Sequence, residues 1–382
     1  MDCGYFAAGQ CRSCPHLAVP YAEMLARKEA ACRAALPAFD ASLWQPPVPS
    51  AESSFRNKAK MVVSGTADAP RLGIVGAAGQ GQDLSDCLLY PPSLRAAFAP
   101  IKDFIRALRL PPYDIARRRG ELKFVLLTQD QTTEALMLRF VLRSTAWLPR
   151  LRAALPELQR VLPALAVISA NIQPVHQAIV EGEEEIPLAG ASALSVWLGE
   201  VPLYLRPRSF FQTNTAVATA LYATARDWVA ACAPASLWDL FCGVGGFALF
   251  CAPGVRGAIT GIEISPEAID SARQSAAALG LSQIEFTALP ADAFAEGQTG
   301  WPECVIVNPP RRGLGAALAA AINTATATRW LLYSSCNPAS LAADLARLSD
   351  FVPRRARLFD MFPHTDHAEV LVLLERRRSD EL

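Results

Sequence analysis

From Phe211 onward the sequence alternates short apolar, strand-like runs with helical stretches, and few folds accommodate that rhythm. Helix Thr215–Cys232 leads to strand Leu237–Phe241, a Gly-rich turn and a helix, and strand Ala258–Glu263 leads to helix Pro266–Leu279. Further strands are read at Ile284–Ala288, Cys304–Val307 and Trp330–Ser334, the last two separated by an Ala-rich helix. Strands parted by helices cannot pair as tight hairpins, so they align in parallel with helices on both faces of the sheet. The fold class is therefore α/β with a doubly wound, mainly parallel sheet. The stretch R-A-R-L-F-D-M-F-P-H-T-D-H-A-E-V-L-V-L-L-E holds two runs with no helix between them and predicts a closing antiparallel hairpin.

Upstream the texture differs. K-F-V-L-L-T and E-A-L-M-L-R-F-V-L alternate with helical W-L-P-R-L-R-A-A-L, which predicts an α+β domain with an antiparallel sheet over residues 49–208. Before the Pro-rich joint W-Q-P-P-V-P-S lie a cysteine cluster and the helical A-E-M-L-A-R-K-E-A-A-C-R-A-A-L, giving a short N-terminal segment, 1–48. The Rossmann-like domain then occupies 209–382. With 382 residues, 52% hydrophobic and 19% charged, the chain can bury real cores. No apolar run approaches the roughly 18 residues of a membrane span. The N-terminus does not read as a signal peptide, so a cytoplasmic protein is expected and the terminal S-D-E-L is taken as chance.

The chemistry-bearing residues cluster at strand ends. W-D-L-F-C-G-V-G-G-F-A permits a tight strand-to-helix turn with close approach of a ligand to backbone. Glu263 ends the second strand, twenty residues after Gly243, where a carboxylate can accept both hydroxyls of a ribose. That suits NAD and S-adenosylmethionine equally, and an NAD-dependent oxidoreductase is one reading. V-I-V-N-P-P-R-R-G argues for the other: a rigid Asn308-Pro-Pro turn at the carboxyl edge presents a polar side chain beside a transferred methyl group. Arg311, where an aromatic residue would mark an amino-group methyltransferase, points to a ring carbon instead. C5 of uracil is a poor nucleophile until a thiolate adds at C6, and Y-S-S-C-N-P supplies Cys336 at the edge of the next strand. A base must then remove the C5 proton, and Glu369, opening the last strand, is the candidate. His364 and His367 are too few for a metal site.

D-L-F-C-G-V-G-G-F, N-P-P-R-R-G and Y-S-S-C-N-P, in that order, resemble the RNA uracil-5-methyltransferases, in particular the branch acting on 23S ribosomal RNA. F-R-N-K-A-K-M-V-V-S-G, R-G-E-L-K, S-F-F-Q-T-N and F-D-M-F-P-H-T extend the resemblance over nearly the whole chain. It implies Cys336 as nucleophile, Glu369 as base, and Gln212, Phe241, Glu263 and Asn308 as S-adenosylmethionine contacts. Some relatives carry Asn directly after the G-x-G turn, where Gly246 stands here.

Ten cysteines in a reducing compartment argue for metal binding or catalysis rather than disulfides. Cys32, Cys232, Cys242, Cys251 and Cys304 sit in apolar or helical surroundings and read as packing residues. Cys3, Cys11 and Cys14, with a remote Cys87, suit a four-thiolate site. Zinc also accepts four thiolates. A single C-x2-C pair favours iron–sulfur over a zinc ribbon, and the resemblance implies a [4Fe–4S] cluster. A non-enzymatic iron–sulfur RNA-binding module is the third reading.

Lysine plus arginine balances aspartate plus glutamate at 36 each, so net charge announces no partner. Local groups do: Arg56, Lys58 and Lys60 alternate along one strand face, Arg117, Arg118, Arg119 and Lys123 cluster, and Arg206 and Arg208 flank the catalytic domain. Phe210, Phe211 and Phe362 are candidate stacking platforms for an extruded uracil. The expected partner is 23S ribosomal RNA, with no membrane, no DNA and a monomeric protein.

Overall fold

The computed structural model describes residues 1–76, 80–176, 179–298 and 300–377; the S-D-E-L tail lies outside the described residues. Two compact units emerge, one of residues 1–15 and 52–196, the other of residues 16–51 and 197–382. The helix expected in the N-terminal segment, observed at Tyr21–Ala35, thus belongs with the C-terminal unit, whereas the four clustered-site cysteines all lie in the first.

The first unit is built on seven strands: β1 Lys58–Gly65, β2 Pro70–Val75, β3 Gly81–Asp83, β4 Leu122–Gln129, β5 Leu136–Leu142, β6 Leu165–Ile172 and β7 Glu184–Gly190, in the order β3-β2-β1-β4-β5-β6-β7. Pairing is antiparallel except between β5 and β6. Helix Leu148–Val161 separates that parallel pair, as a crossover requires. Alternation in β1 sends Ala59, Met61 and Val63 into the core while Lys60 stays exposed. Helices Phe98–Leu108 and Leu148–Val161 close the apolar face with Phe98, Ile101, Ile105, Leu151 and Leu155. Arg139 is almost fully buried in β5; it forks onto Glu185 and also pairs with Glu181, which removes the cost of an isolated buried charge.

After a short hairpin, β8 Leu194–Leu198 with β9 Val201–Leu205, the second unit forms its own seven-stranded sheet. Its strands are β10 Leu237–Leu240, β11 Ile259–Glu263, β12 Ile284–Ala288, β13 Cys304–Val307, β14 Trp330–Ser335, β15 Phe351–Phe359 and β16 Glu369–Arg376. The order is β12-β11-β10-β13-β14-β16-β15; the first five are parallel and the last two antiparallel. Both expectations for this region, a parallel sheet and a closing hairpin, are met. One face packs Trp238, Leu240, Val305, Val307, Leu331 and Tyr333 against helices Ala316–Thr324 and Pro338–Leu345 and the Tyr21–Trp44 segment. The strand order reverses between β10 and β13. Ligands of open α/β sheets bind at such a switch, outside the carboxyl ends of the strands.

Candidate active site

The carboxyl edge of the second sheet collects the expected residues. Phe241 follows β10, Glu263 ends β11, Asn308 follows β13 and Cys336 follows β14. Glu369 opens β16 and pairs in register with Phe359, while its neighbour Val370 lies opposite Ser335. Because β16 runs antiparallel, its first residue reaches the same edge as the last residues of the parallel strands. That is how a carboxylate 33 residues after Cys336 comes beside it.

At the glycine turn three alternate residues have positive φ: Phe241 at 66°, Gly243 at 54° and Gly245 at 87°. Phe241 is the costly one, since a bulky side chain rarely adopts that region. The turn brings the Gly243 amide to Glu263 Oε2 at 3.2 Å, and the Ser265 amide binds the other carboxylate oxygen at 3.1 Å. Glu263 is thereby aimed before any ligand arrives. Asp239 is fully buried; one oxygen accepts from the Ala248 amide at 3.0 Å and the other has no partner among the described residues. Burial pushes its carboxyl up to about 8, Glu263 adding to the shift. A Cβ at Gly243 would meet open space, so the turn is accessible to a ligand. At Gly246 a Cβ would lie 2.6 Å from the Tyr222 ring, which explains why this chain carries no Asn there.

Cys336 is half-buried, one residue before Asn337, whose side chain caps helix Pro338–Leu345 by accepting from the Ala339 amide at 3.1 Å. Burial and the nearby Glu369 push its thiol up, while Arg311, hydrogen-bonded to it, pulls it down. Glu369 is buried and pushed up to about 7 by desolvation, against the hydrogen bonds it accepts from Ser334 and Asn308. The Asn308 Nδ2 to Glu369 Oε1 distance is 3.4 Å. A carboxyl near 7 in a low-dielectric pocket is suited to take a proton at neutral pH. The N-P-P-R-R-G loop is anchored from below: Asp344 accepts from the Leu314 amide and from the Tyr333 hydroxyl, each at 2.7 Å.

Gln212 is half-buried on the segment before helix Thr215–Cys232. Phe210 is 73% exposed and Phe362 half-buried, so both remain available for stacking, whereas Phe211 is core. Lys123 departs from its expected surface patch. It is buried beneath the Tyr113 ring and bonded to Gln173 and to the Val175 carbonyl at 2.7 Å. Arg117, Arg118 and Arg119 are exposed as expected. Ser334, Arg311 and Asp344 were not singled out as a set by the sequence; only the pairing of β13, β14 and β16 brings them together.

In the first unit, Cys14 sits near Cys87, Cys11 and Cys3, and burial followed by these three neighbours pushes its thiol up to about 11. Among the described residues no three histidine, cysteine or acidic side chains converge to hold a single metal ion. Among the described residues no helix is long and apolar enough to cross a membrane.

Residues 199–377 match the family model described as tRNA (Uracil-5-)-methyltransferase. Over 99% of its length the chain is 54% identical to the 23S rRNA (uracil(747)-C(5))-methyltransferase RlmC of Halothiobacillus neapolitanus, covering 100% of that protein. Against the protein of that name from Pectobacterium carotovorum the identity is 54% over 98% of this chain and 100% of the relative. The crystal structure of the Pyrococcus abyssi tRNA (uracil-54, C5)-methyltransferase in complex with S-adenosyl-L-homocysteine superposes with a TM-score of 0.79 at 24% identity, over 95% of this chain and 84% of that one. At that identity the last match speaks for the fold alone.

Proposed function

The chain belongs to the RNA uracil-5-methyltransferase family, and we propose that it transfers the methyl group of S-adenosylmethionine to C5 of a uridine in 23S ribosomal RNA. Position 747, for which its relatives are named, is the proposed target. The observation that carries the reading is the convergence of Cys336, Glu369 and Asn308 at one sheet edge, with Asn308 within 3.4 Å of Glu369.

The glycine turn, the pre-aimed Glu263 and the orphaned oxygen of Asp239 fit an adenosyl ligand. Gln212, Phe241, Glu263 and Asn308 are proposed to hold it, and it supplies an electrophilic methyl on a sulfonium. Cys336 adds as thiolate to C6, forming the C6–S bond and moving the C5–C6 π pair into an enolate that makes C5 nucleophilic. Arg311 beside the thiol favours the thiolate form. C5 would take the methyl as the S–CH3 bond pair stays on the donor sulfur, which leaves as a neutral thioether, and Glu369 then accepts the C5 proton. The C–H pair restores the C5–C6 double bond, and the C6–S pair returns to Cys336. Asn308 and Ser334 hold Glu369 for that step.

Cys3, Cys11, Cys14 and Cys87 are proposed to hold a [4Fe–4S] cluster. An all-thiol donor set drawn from neighbouring cysteines, with a single C-x2-C pair, suits an iron–sulfur cluster better than a zinc ribbon. It has no part in the steps above; these four residues would fasten the N-terminal segment to the loop after β3. A ribosomal RNA substrate implies a cytoplasmic protein. Unmodified 23S RNA incubated with methyl-labelled donor should gain one 5-methyluridine, located by mass spectrometry of nuclease fragments. Absence of label, or label on an exocyclic nitrogen, would overturn the proposal.

A further inference from the structure

Lys28, on helix Tyr21–Ala35, is a charged side chain only 3% exposed, and its partner Asp360 is fully buried. An ammonium has three donors, and here all three are taken. Nζ donates to Asp360 Oδ1 at 2.6 Å, to the Phe362 carbonyl at 2.8 Å and to the His367 carbonyl at 3.0 Å. The two carbonyls lie on the loop between β15 and β16, and His367 stands two residues before Glu369. The other Asp360 oxygen accepts from the Tyr21 hydroxyl at 2.7 Å, which itself accepts from the Ser50 amide at 2.8 Å. The Ser50 hydroxyl accepts from Asn214 Nδ2 at 2.8 Å, and the same amide reaches the Met361 carbonyl at 3.3 Å. Asn214 caps helix Thr215–Cys232 and stands two residues after Gln212.

One polar chain within the second unit therefore links the segment bearing Gln212 to the loop that delivers Glu369. Burying an ion pair costs several kcal/mol in desolvation, and well-packed apolar residues often hold a loop as firmly. What the ammonium adds is direction: three fixed acceptors define where the loop backbone lies, and proton transfer tolerates only small displacement of the base. Lys28 makes no contact with reacting atoms.

We propose that Lys28, through Asp360 and Tyr21, is a positioning residue for proton removal by Glu369. The inference rests on the reading of Glu369 as base. Lys28→Met, Lys28→Arg, Tyr21→Phe and Glu369→Gln would be compared with wild type in steady-state methylation and in the fraction of RNA held covalently after denaturation. Positioning predicts that Lys28→Met lowers kcat about tenfold and Tyr21→Phe a few-fold, with KM for RNA and donor within about twofold. Both should raise the covalent fraction in the direction of Glu369→Gln, and Lys28→Arg should recover part of kcat. If Lys28→Met fails to fold, Tyr21→Phe decides, since it leaves the ion pair intact. Variants that melt earlier but keep wild-type kcat and covalent fraction would overturn the proposal while a trapping Glu369→Gln leaves the base in place. If Glu369→Gln traps nothing, the base reading falls and the positioning role falls with it.

Discussion

At Glu369 stability and chemistry pull in opposite directions. Burial raises the carboxyl to about 7, so between its unfolded value near 4.5 and 7 the native state binds more protons than the unfolded chain. Stability from this group is full at low pH and is lost as pH rises through that window, amounting to about 3 kcal/mol as an upper bound. Glu369→Gln is accordingly expected to match or exceed wild-type stability at pH 8 in urea unfolding; a loss of more than about 1 kcal/mol contradicts this. Proton removal has the reverse dependence, since it needs the carboxylate. The rate of adduct breakdown in single turnover should fall as pH drops through about 7, and a rate independent of pH from 5.5 to 8.5 counts against the assignment. Cys336, Glu369 and Asn308 were legible in sequence because each stands in a short motif at a strand end. Ser334 and Lys28 were not. A serine two residues before the thiol reads as strand, and a lysine on a polar helix reads as solvated surface until the β15–β16 loop is seen to wrap it.

Elements with strong local signals came out nearly residue for residue: helix Thr215–Cys232, strands at Ile284–Ala288 and Cys304–Val307, and the closing hairpin. The parallel β5–β6 pair did not, because pairing direction depends on where the intervening helix packs rather than on the strands themselves. Loop anchoring is equally non-local. Gly313 has φ of +84°, and a Cβ there would run into the Asp344 carboxylate that holds the Leu314 amide and Tyr333 hydroxyl. Gly313→Ala is expected to cost roughly 1–3 kcal/mol and to lower methylation by displacing Arg311. Thermal unfolding and kcat together check this; unchanged values of both contradict it. Asn214→Ala removes a helix cap and two further hydrogen bonds. It should destabilise by about 1–3 kcal/mol in denaturant titration.

For the whole molecule, the balanced net charge conceals an exposed arginine cluster at 117–119. RNA affinity should fall log-linearly with salt, and replacing the three arginines should reduce the slope by about one for each phosphate they neutralise. Cys87→Ser should lower bound iron and sulfide and leave full-length protein unable to retain about four irons per chain, measured by metal analysis after anaerobic reconstitution. The most direct test of the account is the covalent step. Wild type and Cys336→Ala would be given unmodified 23S RNA and methyl-labelled donor, with a parallel reaction on RNA carrying 5-fluorouridine, whose C5 fluorine cannot leave as a proton. The account predicts labelled product and a denaturation-resistant enzyme–RNA complex for wild type, and neither for Cys336→Ala. Methyl transfer by Cys336→Ala at the wild-type rate, or its fluorinated RNA trapped as efficiently, would contradict it.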